Sequence, residues 1–408
     1  MNILFLNNYF YLRGGSERVF FGEMDLLKKK GHEITGFARN HPEDHPSPHH
    51  HFFPPDMATD RVRFSWDAIR SVGEMLYSRS AKKSLELMLK EVKPDIVHVH
   101  NMYGRLTTSV LDVLSQHKLP VVMTLHDHKL ICPTYRCMRN EQVCEDCGNG
   151  KFFMAVLNRC HKNSYAASAI VAFESYYCTW FDKYLKNVMF FISPSCFLKN
   201  KLVEFGWPEN RIKILPNFIS LEEFTPDYTP GNYFLYLGRL SEEKGIGTLV
   251  QAFKNIKDDQ AKLVIVGDGP LRKELENLAE NDNRIQFTGY LSGNELHKRT
   301  REAKVLIIPS ECYENAPLSV IEAMAYGKPV IGSMTGGIPE MVMEGETGFL
   351  FQAGDVHGLT DKMERVLSLG VSEIERLGMA ARKTVETKYT QEAHYRELMK
   401  IYEEVLSL

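Results

Sequence analysis

The segment 308–340 constrains the fold more than any other part of this chain of 408 residues. The apolar residues 305–309 predict a buried strand, and a polar loop separates that strand from a helix over about 316–326. A second strand is predicted at 329–332, and a glycine turn then opens another helix at Ile338. This order of strand, helix and strand is typical of an α/β protein with a parallel sheet.

Two glutamates of this segment, Glu314 and Glu322, are separated by seven residues. The first lies in the loop before the helix and the second about a turn and a half into it, so both can face one ligand. Open α/β sheets bind small molecules at the carboxyl ends of their strands, and a helix N-terminus there suits phosphate. Paired glutamates alone are more often a solvated helix face, so the longer string around them must carry the assignment.

That longer string contains Glu314, Asn315, Ala316, Pro317, Glu322, Gly327, Lys328, Pro329, Val330, Gly336, Gly337, Pro339 and Glu340. It resembles the E-x7-E signature and its sequel in retaining glycosyltransferases of the GT-B fold. More narrowly, it is similar to family 4, the large family that builds bacterial polysaccharides and glycolipids. The resemblance implies two Rossmann-like α/β domains whose parallel sheets face each other across a cleft.

The length of the chain exceeds one typical core, which also favours two α/β domains. We place the first at 1–216, completed by the C-terminal helix 391–408, and the second at 217–390. Pro216, Asn217, Phe224 and Pro226 resemble the interdomain linker of the family. The resemblance implies that the first domain binds the acceptor and the second binds the nucleotide-sugar donor.

Charge is divided unevenly between these halves. Residues 1–216 contain 28 basic and 22 acidic side chains, and 217–408 contain 21 and 30, so the net charges are +6 and −9. An anionic partner for the first half and a merely solvated surface are both open. Basic amphipathic helices between 61 and 93 can lie on an anionic membrane, but core-facing helices with solvated lysines share this pattern. We expect no nucleic-acid partner.

The first residues, 1–6, form a short apolar run followed by Asn7 and Asn8, which predicts a strand and not a signal peptide. The sequence lacks a run of roughly 18 apolar residues, the length that spans a membrane. We therefore expect a cytoplasmic protein, with contact at the inner face of the cytoplasmic membrane as an option for the basic helices.

Three positions in the first domain are candidate site residues. Gly14 and Gly15 lie between the first strand and first helix, where glycine permits close backbone approach and the helix start attracts anions. In the resembled family, the matching loop lies across the cleft from the donor diphosphate. His126 follows a predicted strand at 120–125, and a histidine in the family at this point contacts the transferred sugar. The loop 41–56 contains His49, His50 and His51, which could hold a metal, although a mobile loop beside the acceptor is the simpler interpretation.

The second domain begins with a strand that ends in a glycine turn carrying Gly238, Arg239 and Lys244. Arginine and lysine at the mouth of a strand can neutralise a diphosphate without a metal. In the family, Arg239 and Lys244 match the pyrophosphate pair. Gly267 follows another strand and matches a glycine that lets the nucleotide approach.

The resemblance also implies roles around the paired glutamates. Glu314 would bind sugar hydroxyls, Glu322 the ribose, and backbone amides near the segment of Asn315, Ala316, Pro317 and Leu318 the distal phosphate. It implies a nucleotide diphosphate sugar donor, a glycan or lipid-linked acceptor, and catalysis that requires no cofactor. A front-face mechanism with retention is the one usually proposed for the family.

Five cysteines fall within 29 residues, in a chain with only three others. Cys144 and Cys147 have the C-x2-C spacing common among metal ligands. We predict a structural zinc bound by these two with Cys132 and Cys160, leaving Cys137 spare and His161 as an alternative fourth ligand. A redox-sensitive disulfide and an iron-sulfur cluster remain alternatives.

Two other function classes share this fold. A phosphorylase-like enzyme would carry a lysine anchoring pyridoxal phosphate, and the sequence shows no motif for one. A catalytically silent nucleotide-sugar binding subunit would be expected to have lost His126, Arg239, Lys244 or Glu314, and the chain has all four.

Overall fold

The computed structural model of the protein describes residues 1–57, 66–280 and 282–408, with the side chains of 66–70 left out. The chain divides into two compact units. The first contains 1–136, 145–215 and 395–408, and the second contains 137–144 and 216–394. The sequence places a boundary at 216/217, next to the division after Leu215, but it gives no hint that 137–144 belongs with the second unit.

The described part of the first unit is built on a six-stranded parallel sheet of order β2-β1-β3-β4-β7-β8. Its strands are β1 (Asn2–Leu6), β2 (Glu33–Phe37), β3 (Ile96–Val99), β4 (Val121–Thr124), β7 (Phe190–Ser193) and β8 (Ile212–Ile214). Strands β5 (Met138–Arg139) and β6 (Gln142–Val143) are not part of this sheet and form a separate antiparallel hairpin. Every residue of β3, β4 and β7 is buried, as expected for a parallel sheet covered on both faces.

Seven helices belong to the described part of the first unit. They are α1 (Gly15–Lys29), α2 (Trp66–Leu76), α3 (Arg79–Glu91), α4 (Ser109–Gln116), α5 (Phe153–Leu157), α6 (Tyr165–Trp180) and α7 (Cys196–Glu204). Serines cap three of them: the hydroxyls of Ser78, Ser164 and Ser195 accept from backbone N–H groups in the first turns of α3, α6 and α7. Part of the segment predicted to form basic amphipathic helices, including Arg61, Arg63 and the side chain of Arg70, lies outside the described part of the chain.

The described part of the second unit has its own six-stranded parallel sheet, of order β11-β10-β9-β12-β13-β14. The strands are β9 (Phe234–Leu237), β10 (Leu263–Val266), β11 (Ile285–Gly289), β12 (Val305–Ile308), β13 (Val330–Ser333) and β14 (Gly348–Phe351). The helices are α8 (Ile246–Lys254), α9 (Arg272–Ala279), α10 (Gly293–Arg301), α11 (Leu318–Ala325), α12 (Ile338–Met341), α13 (Val356–Ser368) and α14 (Val371–Lys388). A last helix, α15 (Gln391–Ser407), ends the chain.

The second sheet has the strand order in which the chain starts in the middle, builds one edge and then returns to build the other. The reversal falls between β9 and β12, which are neighbours in the sheet. Ligands of open α/β sheets bind at such a switch point, outside the carboxyl ends of the strands. The predicted site residues of the second unit follow these two strands, except Gly267, which follows β10.

The predicted strand, helix, strand and helix of 305–341 are confirmed with small shifts of boundary. Strand β12 ends at Ile308, α11 begins at Leu318 and not at Ala316, and β13 runs from Val330 to Ser333. The helix begins later because Pro317, with φ −66° and ψ 122°, is its extended N-cap residue. Glu322 is therefore the fifth residue of the helix, slightly more than one turn from its start.

Among the described residues, no helix combines the length and the apolar character needed to cross a bilayer.

Candidate active site

Two loops meet at the switch point of the second unit. The loop after β9 contains Gly238, Arg239 and Lys244, and the loop after β12 contains Glu314. Backbone bonds join them, because the N–H groups of Glu311 and Cys312 both donate to the carbonyl of Glu243, at 3.0 and 3.2 Å. The basic turn and the carboxylate, distant in sequence, are thus brought together as the resemblance implies.

Lys244 and Glu314 form an ion pair at this junction. Nζ of Lys244 donates to Oε1 of Glu314 at 2.6 Å, and Ser310 Oγ donates to the same oxygen at 2.7 Å. The Glu314 side chain is 16% exposed and that of Lys244 is 29% exposed, so solvent reaches both groups in part. A ligand that approaches this edge meets a preformed cation and anion held by short bonds.

The charge of Lys244 is set by two opposing effects. Burial lowers the pKa of the ammonium, but Glu314, together with Cys312 and Glu243, more than offsets that effect, and the pKa lies above its ordinary value. Lys244 therefore stays protonated throughout the physiological range, as a residue that must neutralise a diphosphate requires. Arg239, in the same turn, is exposed.

Two glycines let the loops after β10 and β13 approach the loops that carry Gly238 and Glu314. Gly267 has φ +136°, and a Cβ there would lie 1.8 Å from the carbonyl oxygen of Gly238. Gly336 has φ +60°, and a Cβ there would lie 2.1 Å from the carbonyl oxygen of Glu314. Side chains cannot be accommodated at these positions without moving the loops, and L-residues are disfavoured at both values of φ.

The N-terminus of α11 lies beside Glu314. Pro317 has no N–H group, so amides that could reach a phosphate here come from Asn315, Ala316 and Leu318. The carbonyl of Ala316 accepts from Asn217 Nδ2 at 2.9 Å, which fixes the loop before the helix. Glu322 is partly exposed one turn into α11.

His126 of the first unit directly follows β4 and Leu125 and is partly buried. Its Nε2 lies 2.8 Å from Nδ1 of His100, and the two rings stack with centroids 5.0 Å apart. Burial, and secondarily His100, lowers the pKa of His126 to about 3, so the imidazole is neutral at physiological pH. Its neighbour Asp127 shows the opposite shift, since burial raises the pKa of that carboxyl to about 6.

Gly14 and Gly15 lie at the start of α1, as predicted, with Gly14 as the extended N-cap residue. A Cβ on Gly15 would meet no atom within 4 Å among the described residues, so the fold itself does not require glycine there. The first turn of α1 also carries Glu17, whose Oε1 accepts from Ser16 Oγ at 3.1 Å. This carboxylate already faces the positive end of the helix, which makes an anion there less favourable.

The five clustered cysteines lie in the long connection between β4 and β7. Cys132 and Cys137 are buried, whereas Cys144, Cys147 and Cys160 are partly exposed. Cys137 directly precedes β5 and Cys144 directly follows β6, so the two cysteines flank the hairpin. The Cys144 N–H donates to the Cys137 carbonyl at 2.8 Å. Cys137, predicted to be spare, thus sits at the base of the hairpin.

The first unit also contains a pocket of about 180 Å³ beside this insert. Its wall includes Lys129, Cys147, Phe152, Glu174 and Trp207. Lys129 and Glu174 form an ion pair of 2.7 Å there, with side chains 6% and 8% exposed. The pair is buried, and removing one partner alone would leave an uncompensated charge.

The sequence analysis missed a group of polar residues behind His126. Glu23 of α1 and His98 and His100 of the β3 region are buried, and their ligand-type atoms lie within 4.8 Å of one another. The signal was present, since histidines two apart on a strand share a face, and Glu23 lies among the buried residues of α1.

The two six-stranded parallel sheets, together with the solved structures described below, define a protein of the GT-B fold. The family described as Glycosyltransferase Family 4 matches residues 13–223, more than half of the chain, and Glycosyl transferases group 1 matches 221–384. The chain belongs to glycosyltransferase family 4.

Relatives and solved structures agree with this assignment. The amylovoran biosynthesis glycosyltransferase AmsK of Erwinia amylovora is 30% identical over 219 residues, which are 50% of this chain and 54% of AmsK. The sulfoquinovosyl transferase SQD2 of Arabidopsis thaliana is 26% identical over 317 residues, 72% of this chain and 54% of SQD2. The chain thus spans about half the length of the curated relatives it matches.

Solved structures match along the whole chain. Sucrose-phosphate synthase of Thermosynechococcus elongatus superposes with a TM-score of 0.71 at 20% identity, covering 100% of both chains. HepE of Anabaena, solved with UDP and glucose, gives 0.68 at 17% identity, again over 100% of both. At these identities the likeness establishes the GT-B fold.

Proposed function

We propose that this protein is a retaining glycosyltransferase that moves a sugar from a nucleotide diphosphate sugar to a glycan or lipid-linked acceptor. The observation that carries the proposal is the Lys244–Glu314 ion pair of 2.6 Å at the switch point of the second sheet. Breaking the anomeric bond leaves negative charge on the departing phosphate and positive charge on the sugar ring. A cation and a carboxylate held side by side match those two charges.

We assign the donor contacts residue by residue. Arg239 and Lys244 would neutralise the diphosphate, and the amides of Asn315, Ala316 and Leu318 would bind its distal phosphate. Glu314 would accept from sugar hydroxyls, and Glu322 from the ribose. His126 of the first unit would contact the transferred sugar through a neutral imidazole. Gly14, Gly15, Gly238 and Gly267 would let the donor approach the backbone.

Retention is proposed to proceed on one face of the sugar, without a covalent intermediate. The carboxylate of Glu314 supports this choice, because Lys244 and Ser310 both donate to its Oε1. Such bonds lower the nucleophilicity of the carboxylate and suit it to binding instead. Catalysis on this scheme needs no cofactor.

The test is a thermal-shift screen against nucleotide sugars followed by a transfer assay. UDP sugars come first, because the related fold of HepE was solved with UDP and with UDP-glucose. Donor binding should raise the melting temperature by mass action. Proton NMR of the product should then show an anomeric configuration equal to that of the donor. Binding without transfer to any acceptor would instead favour the silent binding subunit.

The partner and the location are proposed from charge. The net charge of +6 over 1–216 suits an anionic, lipid-linked diphosphate acceptor at the inner face of the cytoplasmic membrane. Flotation with vesicles of anionic lipid should show binding that falls as salt rises, with neutral vesicles as the control. Absence of binding to both at low salt would indicate a water-soluble acceptor.

A structural zinc is proposed in the cysteine insert, bound by Cys132, Cys144, Cys147 and Cys160. Thiolates are the donors that tetrahedral zinc prefers, and the segment 136–150 has few apolar residues with which to order itself by burial. The four residues would hold the metal, which would supply structure and take no part in the chemistry.

A further inference from the structure

Helix α6 of the first unit carries large apolar side chains on the side that faces solvent. Because successive residues of a helix turn by about 100°, one side within an arc of roughly 80° contains Tyr165, Ala169, Phe173, Tyr176 and Trp180. Tyr176 is partly exposed and the others are exposed, Phe173 by 50% and Trp180 by 67%. The buried residues of the helix are instead small or polar: Ser168, Ala172, Glu174, Ser175 and Cys178. A helix that contacts only water and the core has the opposite distribution.

Helix α5 extends this apolar surface. The N–H of Phe153 donates to the hydroxyl of Tyr176 at 3.1 Å, and the Tyr176 ring stacks on that of Trp180 with centroids 5.2 Å apart. Phe153 and Leu157 are one turn apart on α5 and both exposed. We call the exposed apolar residues of the two helices the α5–α6 patch. An exposed patch of this kind marks a surface that binds a protein or a membrane.

Positive charge flanks the α5–α6 patch. The segment 151–186 contains both helices and has five basic and two acidic side chains, and one of the acids, Glu174, is buried in its ion pair with Lys129. Exposed bases lie before α5, in the turn between the helices and after α6: Lys151, Arg159, Lys162 and Lys186. The Arg159 guanidinium lies over the Tyr165 ring, 5.4 Å from its centroid, so a cation directly adjoins the patch.

We propose that the α5–α6 patch docks the protein on a bilayer that contains anionic lipid, with the aromatic side chains in the interface and the bases against the headgroups. Tryptophan and tyrosine suit an interface because one end of each side chain is apolar and the other is polar. A second copy of the chain is a poorer match, since protein interfaces are depleted in lysine. The purpose of docking rests on the proposed function, in which the membrane carries the acceptor.

This surface differs from the one that the sequence offered. Helix α3, which lies in the basic segment 61–93, buries Leu85, Met88 and Leu89 and leaves Leu87 exposed. Its apolar face is therefore directed at the core, with Lys83 and Lys90 exposed to solvent. Helix α3 thus provides matched controls for the α5–α6 patch within the same unit.

The apolar contribution is tested by flotation of the full chain with vesicles of phosphatidylcholine, with and without phosphatidylglycerol. The natural chain should bind the anionic vesicles. Phe173→Ser or Trp180→Ser should each lower the partition coefficient roughly 10-fold, because an exposed aromatic ring no longer enters the interface. Leu87→Ser should bind as the natural chain does. No binding of the natural chain at low salt, or equal losses in all three variants, would overturn the proposal.

The charges are tested by two double variants that remove the same net charge from the unit. Arg159→Gln/Lys162→Gln should lower the partition coefficient at low salt by roughly fivefold for each charge, and Lys83→Gln/Lys90→Gln should lower it much less. Equal effects would show attraction by the net charge of the unit and would overturn docking through the patch. Sedimentation velocity tests the other occupant: a natural chain that dimerises through Trp180 and binds no vesicles would assign the patch to a contact between copies.

A transfer assay separates this inference from the proposed function. Trp180→Ser should keep the melting temperature of the natural chain and transfer sugar to a water-soluble acceptor at the same rate, while it loses vesicle binding. If the natural chain binds vesicles through the patch but transfers no sugar, the proposed function fails and the docking surface stands. If Trp180→Ser binds vesicles as the natural chain does, docking through the patch is refuted and the proposed function is untouched.

Discussion

Nζ of Lys244 donates to Oε1 of Glu314 across 2.6 Å, although 69 residues lie between them in the chain. The two residues belong to loops that follow neighbouring strands of the second sheet, β9 and β12. In the absence of donor the pair neutralises itself. Under the proposed function, a bound diphosphate would share the lysine with this carboxylate, and Glu314 would lie next to the sugar attached to that diphosphate.

The first prediction concerns the cation of this pair. Lys244→Gln should weaken binding of a nucleoside diphosphate by roughly 1.5–3 kcal/mol, because a charge-assisted bond is lost and the Glu314 carboxylate is left without its counter-ion. Lys254→Gln is the control, since Lys254 pairs with Glu280 on the surface of the same unit. Titration calorimetry at two salt concentrations is the measurement. Equal affinities in the two variants would contradict the assignment.

A second prediction is that Glu314 and Glu322 bind different parts of the donor. Glu322→Ala should weaken donor and nucleoside diphosphate alike, by roughly 1.5–3 kcal/mol for the ribose bonds. Glu314→Ala should impair transfer yet leave the affinity for nucleoside diphosphate nearly intact, because that ligand has no sugar and Lys244 remains. Calorimetry that shows equal losses of nucleotide affinity in both variants would disprove this division.

The third prediction uses two glycines of the second unit. Gly336→Ala places a Cβ 2.1 Å from the Glu314 carbonyl oxygen at φ +60°, so it should cost at least about 1 kcal/mol and displace Glu314. Gly247→Ala, in the first turn of α8, meets no described atom within 4 Å and should stabilise by roughly 0.5–1 kcal/mol. Denaturant unfolding and the transfer assay together check both. A neutral Gly336→Ala would mean that the loop can move without loss.

The fourth prediction concerns pH and two adjacent residues. Folding lowers the pKa of His126 from 6.5 to about 3, so between these pH values the folded state binds fewer protons than the unfolded state. The contribution of His126 to stability is therefore lost as pH falls. The pKa of Asp127 rises from 3.8 to about 6, so its contribution is present at low pH and lost as pH rises. Between about pH 4 and 6 the two oppose each other.

Replacing one of the two residues should reveal how the other makes the free energy of unfolding depend on pH. Relative to the natural chain, Asp127→Asn should make stability rise more steeply with pH, and His126→Gln should make it rise less, each by up to about 1.4 kcal/mol per pH unit. Trp66, Trp180 and Trp207 all belong to the first unit, so tryptophan fluorescence during urea unfolding reports on it. If the free energy of unfolding changed with pH equally in the natural chain and both variants, the prediction would be contradicted.

The fifth prediction concerns zinc in the cysteine insert. Cys144→Ser or Cys147→Ser should release zinc and reduce activity, while Cys137→Ser should do neither. Elemental analysis of protein purified without chelator should find about one equivalent of zinc. Less than about half an equivalent, with all five thiols reactive, would refute a four-ligand site. If Cys137→Ser also releases zinc, Cys137 is itself a ligand and the proposed set of four is wrong.

The sequence predicted most of the second unit because its signals are local. Strong apolar runs gave β12 and β13, and the spacing of Glu314 and Glu322 on either side of the start of α11 followed from helix geometry alone. The start of α11 was misjudged by two residues, since an extended proline can equally be read as the first residue of a helix or the one before it. The fold and the family were confirmed.

What sequence reasoning missed depends on contacts between distant segments. The bond from Lys244 to Glu314 could be expected only through the resemblance, since no local pattern relates a turn after β9 to a loop after β12. The group of Glu23, His98 and His100 joins α1 to the third strand, and Tyr402 adds α15. Helical and strand periods reveal which face of an element is buried, but not which polar side chains meet there.

Strands β4 and β7 pair in an unbroken parallel register, Val122 with Phe190, Met123 with Phe191 and Thr124 with Ile192, although residues 125–189 lie between them. The connection, which contains the cysteines, the hairpin, α5 and α6, leaves the sheet at the end of β4 and returns to it at the start of β7. Its length and content can therefore change while the sheet keeps its spacing. Such change would have to spare His126 at the start of the connection, because its Nε2 lies 2.8 Å from Nδ1 of His100 beside β3.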